Sequence, residues 1–70
     1  MRAAMATEKD LWQTAWIIAA QYGVEGVGFA AEMARSFKIG GKIDAQDAWL
    51  SITQKVETLT ATTKAASLHG

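Results

Sequence analysis

Apolar side chains recur at three- and four-residue intervals along most of the chain, the spacing of helices that each bury one face. Between about Glu8 and Tyr22, residues Leu11, Ala15, Ile18, Ala19 and Tyr22 share one side, with Trp12 and Trp16 along one edge. Gln13, Gln21 and Ile17 fall opposite. Thr7 is suited to cap this helix, because its hydroxyl accepts from an N–H otherwise unpaired in the first turn. Glu8 and Asp10 then place negative charge at the positive end of the helix dipole. Gly23, free to take φ > 0, ends it.

The next stretch, Gly23-Val24-Glu25-Gly26-Val27-Gly28, holds three glycines in six residues, each costing about 1 kcal/mol in a helix interior. A turn is expected here, with the second helix starting between Glu25 and Gly28. Val27, Ala30, Met33, Ala34 and Phe37 make its apolar face, with Phe29 at the margin. Glu32, Arg35 and Ser36 face out, and Gly40-Gly41 stops it. The third helix is expected to have Asp44 as its N-cap, with Ile43 packing on Ala48 as a hydrophobic staple and Asp47 adding favourable charge. Ala45, Ala48, Trp49, Ile52, Val56 and Leu59 recur at helical spacing, while Leu50 lies off that stripe. Past Thr60 the residues are mostly Thr, Ala and Ser; Thr63 and Ala66 keep the period, and the end is expected to fray.

No alternation or hairpin dipeptide points to a strand. The expected fold is all-α: a compact three-helix unit with tight glycine turns and a frayed C-terminal tail. Residues 1–6 are assigned to a disordered N-terminus in which Met5 is an alternative start to Met1, 7–60 to the three-helix domain, and 61–70 to a helix extension or flexible tail. Fourteen alanines and five internal glycines let the helix axes approach closely. Trp12, Trp16, Trp49, Tyr22, Phe29 and Phe37 supply bulk, with Trp49 expected as the central plug.

Composition narrows the chemistry. Seventy residues bury only about 60% of their unfolded surface, so a chain this short depends on unusually good packing, a disulfide, a metal or a partner. There is no cysteine and a single histidine, His69, which removes a disulfide framework and leaves no set of metal ligands. Seven Lys plus Arg against seven Asp plus Glu give zero net charge, which argues against a nucleic-acid module. The apolar run Trp16-Ile17-Ile18-Ala19-Ala20 is far short of the roughly 18 residues that span a bilayer, and the N-terminus lacks the apolar core of a secretory signal. The expectation is a soluble cytoplasmic protein with no membrane partner.

Several motifs carry less than they suggest. Gly23-x-x-Gly26-x-Gly28 has the look of a phosphate loop, but a helix precedes it where a dinucleotide fingerprint needs a strand, and it reads as a turn. Gly40-Gly41-Lys42 fails the same test and reads as a helix stop. A helix-turn-helix regulator is the alternative reading, since Arg35 and Lys38 on the second helix and Gln46, Gln54 and Lys55 on the third are candidate contacts. Asp47 and Glu57 on the same helix would oppose phosphate. Of the seven carboxylates, Glu8, Asp10, Asp44 and Asp47 are accounted for by helix N-termini, and Glu32 can pair with Arg35 at i, i+3. No catalytic residue, cofactor site or metal site is expected, and the chain reads as a non-enzyme.

The remaining signal is an excess of apolar residues. Trp12 and Trp16 form an i, i+4 ridge, and Trp16, Ile17, Phe29 and Leu50 lie at or beyond the margins of their stripes. These four are the expected protein-contact residues of a small interaction module, a homo-oligomer or a regulator that occludes a larger partner. A structural subunit of a larger assembly is a further alternative.

Three runs carry a resemblance. They are Leu11-Trp12-x3-Trp16-Ile17-Ile18-x3-Tyr22-Gly23, Ala30-Ala31-Glu32-Met33-Ala34, and Gly40-Gly41-Lys42-Ile43-x4-Ala48-Trp49-x2-Ile52-x3-Val56-Glu57-x-Leu59. Over about 50 of the 70 residues the chain resembles short uncharacterised helical domain-of-unknown-function proteins of alphaproteobacteria. That family usually has Gly-Asp at the position of Gly41-Lys42. The resemblance implies an all-helical fold and a bacterial or phage origin, and it carries over no activity or binding residue.

Overall fold

A computed structural model describes the backbone of residues 7–69 and the side chains of residues 7–61. It contains three helices, α1 (Glu8–Tyr22), α2 (Glu25–Ile39) and α3 (Ile43–His69), and no strand among the described residues. The expected N-terminal segment 1–6 lies outside the described residues. So do the side chains of Thr63, Ala66 and His69, while the backbone of α3 continues as helix through His69.

α1 begins as its sequence requires. The Thr7 hydroxyl accepts from the Asp10 N–H at 3.2 Å, and the Asp10 carboxylate accepts from the Thr7 N–H at 3.3 Å. This reciprocal capping box satisfies two donors that the first turn leaves open. Gly23 closes the helix at φ 62° and ψ −139°, a conformation that a side chain disfavours. Its own N–H donates to Ala19 and its carbonyl accepts from Gly26, so one residue serves both the end of α1 and the start of α2.

Only Gly23 of the three clustered glycines belongs to the turn; Gly26 and Gly28 lie within α2. Gly26 is buried where α2 crosses α1 and α3. A methyl group there would come within 2.7 Å of the Ile18 Cγ2 and 3.2 Å of the Val56 Cγ1, so its missing side chain sets the distance of closest approach. At Gly28 nothing lies within 4 Å.

α2 ends in a Schellman motif. The Lys42 N–H donates to the Phe37 carbonyl at 2.8 Å and the Gly41 N–H to the Lys38 carbonyl at 3.1 Å, with Gly41 at φ 76°. This corrects the expected start of α3. The motif delivers the chain at Lys42, whose carbonyl already accepts from Gln46 at 2.9 Å, so the helix begins at Ile43. Asp44 is not the N-cap but a residue of the first turn, where its charge still faces the positive helix end. Ile43 is the first helical residue instead of the one before the cap, and it is largely exposed.

α3 is the spine. It packs most extensively on α2 and next on α1, whereas α1 and α2 touch each other least. The core where the three meet consists of Ala15 and Ile18 from α1, Ala30 from α2, and Ile52 and Val56 from α3, while Ala34 of α2 is buried outside that cluster. Leu11, Ala19, Val27, Trp49 and Leu59 pack around it. Val56 is the largest fully buried side chain, so the expected central plug, Trp49, is instead a half-buried wall. Helices brought together over alanine and glycine leave no room for an indole at their centre. Thr60 is buried too, with its hydroxyl satisfied by the Val56 carbonyl at 2.9 Å.

Candidate interaction surface

The four residues expected to make contacts fall on three separate parts of the surface. Trp16 and Ile17 sit on the outer side of α1, 62% and 57% exposed. Phe29 belongs to an aromatic row: it stacks on Tyr22 with ring centroids 4.9 Å apart and meets Trp49 edge-on at 6.2 Å. Leu50 lines a groove between α2 and α3.

Trp12 and Trp16 share one edge of α1 but have different surroundings. The Lys55 ammonium of α3 lies 5.1 Å from the Trp12 ring centroid, 3.1 Å from the Glu8 carboxylate and 2.9 Å from the Ser51 hydroxyl. Lys55 is thereby laid down along α1, tying the start of that helix to the middle of α3. One turn later, Trp16 stands beyond its reach. The rest of the outer face is uncharged, because no Asp, Glu, Lys or Arg occurs from Leu11 to Val24. Gln13, Ala20, Gln21 and Val24 complete an exposed surface of apolar and neutral polar groups around Trp16 and Ile17. That charge-free run is visible in the sequence and is the signal that best marks this face, more than the position of any single residue relative to a stripe.

The α2/α3 groove differs in kind. It is an open depression of about 560 Å³ lined by Ala31, Arg35, Lys38 and Ile39 of α2 and by Gln46 and Leu50 of α3. It exists because α2 turns alanines toward α3 here: Ala34 is buried at the base, and Ala31 leaves space that a larger residue would fill. Ile39, 76% exposed, and Leu50 supply its apolar walls. The expected Glu32–Arg35 pair is not made: among the described residues the one salt bridge is Lys55–Glu8. Both groove cations are therefore left without a carboxylate partner. Glu32 lies about 60° around the helix from Arg35 and does not line the groove. Glu57 stands two turns beyond Leu50 on α3 and does not line it.

Four carboxylates elsewhere have structural roles, whereas Asp47, expected to serve the N-terminus of α3, lies past the first turn of a helix that starts at Ile43. Asp10 is in the capping box, Glu8 pairs with Lys55, and Glu25 and Asp44 occupy first turns. No three His, Cys, Asp or Glu residues are grouped to hold a metal ion among the described residues. No helix among them is long and apolar enough to cross a membrane. Compared with known protein families, with curated proteins and with solved structures, the chain gives no match.

Proposed function

We propose that the chain is a small non-enzymatic protein–protein interaction module that self-associates through the outer face of α1 and acts by occluding the surface of a larger partner. The observation that carries this reading is the exposure of Trp16 and Ile17 on a helix face that bears no charge. Interface centres are depleted in charged residues and enriched in tryptophan, and tryptophan recurs among the few residues that dominate binding energy. The same face is suited to meet its own copy. In a two-fold contact the same patch faces its own copy, so a patch of one charge would repel itself, whereas a neutral and apolar patch does not. Such a pairing would also add the burial that a chain of this size lacks alone.

The test is molar mass by size-exclusion chromatography with light scattering at two well-separated concentrations. The wild type is expected to exceed the 7.5 kDa of one chain and to approach twice that value at the higher concentration. Trp16→Glu, which places a charge in each half of the contact, should weaken association by roughly 30-fold or more and leave a monomer. A wild-type chain that is monomeric at both concentrations would remove self-association from the proposal.

A further inference from the structure

We propose that the α2/α3 groove is a second contact surface, distinct from the α1 face, and that its occupant is an acidic amphipathic helix of another protein. The inference extends the interaction-module reading above, and it stands on the groove's own chemistry.

Shape comes first. The groove follows α2 from Ala31 to Ile39, about 12 Å or two helical turns, and its apolar surface comes from Ala31, Ile39 and Leu50. A channel of this length beside two helices suits a short third helix that lays one apolar stripe along the floor. Charge then selects the guest. Arg35 and Lys38 are three residues apart on the groove side of α2, one turn from each other, and neither is neutralised by an ion pair. A guest helix with two carboxylates three or four residues apart along one margin would meet both cations while its apolar residues sit against Leu50 and Ile39. A guanidinium can take its carboxylate through two parallel hydrogen bonds, which adds geometric selection to charge. The same cations exclude a second copy of this groove, since two identical cationic rims would face each other. The two surfaces thus divide by charge: the neutral face for self-pairing, the cationic groove for an acidic partner.

The experiment measures fluorescence anisotropy of a labelled helical peptide with leucines at i, i+3, i+4 and i+7 and flanking glutamates, titrated with the full chain. A second peptide keeps the leucines and has lysine for each glutamate, and a labelled duplex oligonucleotide provides a nucleic-acid arm. The glutamate peptide is expected to bind at least roughly tenfold more tightly than the lysine peptide, with the preference reversed by the double substitution Arg35→Glu and Lys38→Glu. Leu50→Ala should weaken the glutamate peptide, and so should Ile39→Ser at a site too exposed to affect the core. Circular dichroism checks that each variant retains its helix content. Equal binding of the two peptides, or no effect of charge reversal, would overturn the assignment. So would an oligonucleotide that binds through Arg35 and Lys38 more tightly than the glutamate peptide. Light scattering on the same samples separates the two proposals. Loss of peptide preference with Trp16-dependent association intact removes the groove assignment alone, whereas a monomer that still selects the glutamate peptide removes only self-association.

Discussion

Replacing Gly26 by alanine adds one methyl group at the crossing of three helices, and the structure sets what that methyl meets. Its position is 2.7 Å from the Ile18 Cγ2 and 3.3 Å from the Ile18 carbonyl oxygen, with the Val56 Cγ1 at 3.2 Å. Carbon atoms in van der Waals contact are about 3.5–4.0 Å apart, so the first contact is short by roughly 1 Å. Relief is difficult. Ile18 and Val56 are buried β-branched residues with restricted χ1, and the Ile18 carbonyl moves only with the backbone of α1. Overpacking of this kind costs about 1–3 kcal/mol, against about 1 kcal/mol gained from alanine's better helix propensity. The net expectation is a loss of up to about 2 kcal/mol. Gly28→Ala is the internal control: it makes the same chemical change in the same helix with nothing within 4 Å, and should gain about 0.5–1 kcal/mol. Urea denaturation followed by circular dichroism yields both values by linear extrapolation. Using the Trp16→Glu background at one concentration keeps mass action out of the comparison. Two variants of equal stability, or Gly26→Ala more stable than the parent, would refute the close approach of α1, α2 and α3 at this point.

Two further substitutions probe the helix ends. Thr7→Ala removes the hydroxyl that accepts from Asp10 and should cost about 1 kcal/mol by the same urea measurement, with amide exchange faster in the first turn of α1. Gly41→Ala places a Cβ on a residue at φ 76° and should cost about 1–2 kcal/mol although the space around it is open; no loss there would contradict the Schellman geometry.

The helices were legible in the sequence because their signals are local. Thr7 and Asp10 are three residues apart, and Gly23 follows the last apolar residue of the first stripe, so both ends of α1 can be read directly. The start of α3 was not, because two local signals compete. Asp44 has the side chain of an N-cap, but the turn at Gly41 fixes where Lys42 arrives, and the helix is under way before Asp44 is reached. Gly26 and Gly28 are indistinguishable by type and spacing; only the neighbours brought in by α1 and α3 separate a required glycine from an idle one. The size of Trp49 predicts a central position, but the alanines draw the helices too close to admit an indole there. The candidate contact residues were readable as misfits to their stripes, yet their distribution over three regions depends on helix order around α3. The groove was hidden for a related reason: it is made by what Ala31 and Ala34 lack, and an absence shows only when α3 is laid beside it.

The sparse contact between α1 and α2 has an evolutionary corollary. Each of these helices leans on the long third one more than on the other, so substitutions on the solvent side of α1 are felt weakly in the hairpin formed by α2 and α3. Such wiring lets selection retune one surface while the other keeps its shape, an independence that a tightly interlocked bundle of the same size would forfeit.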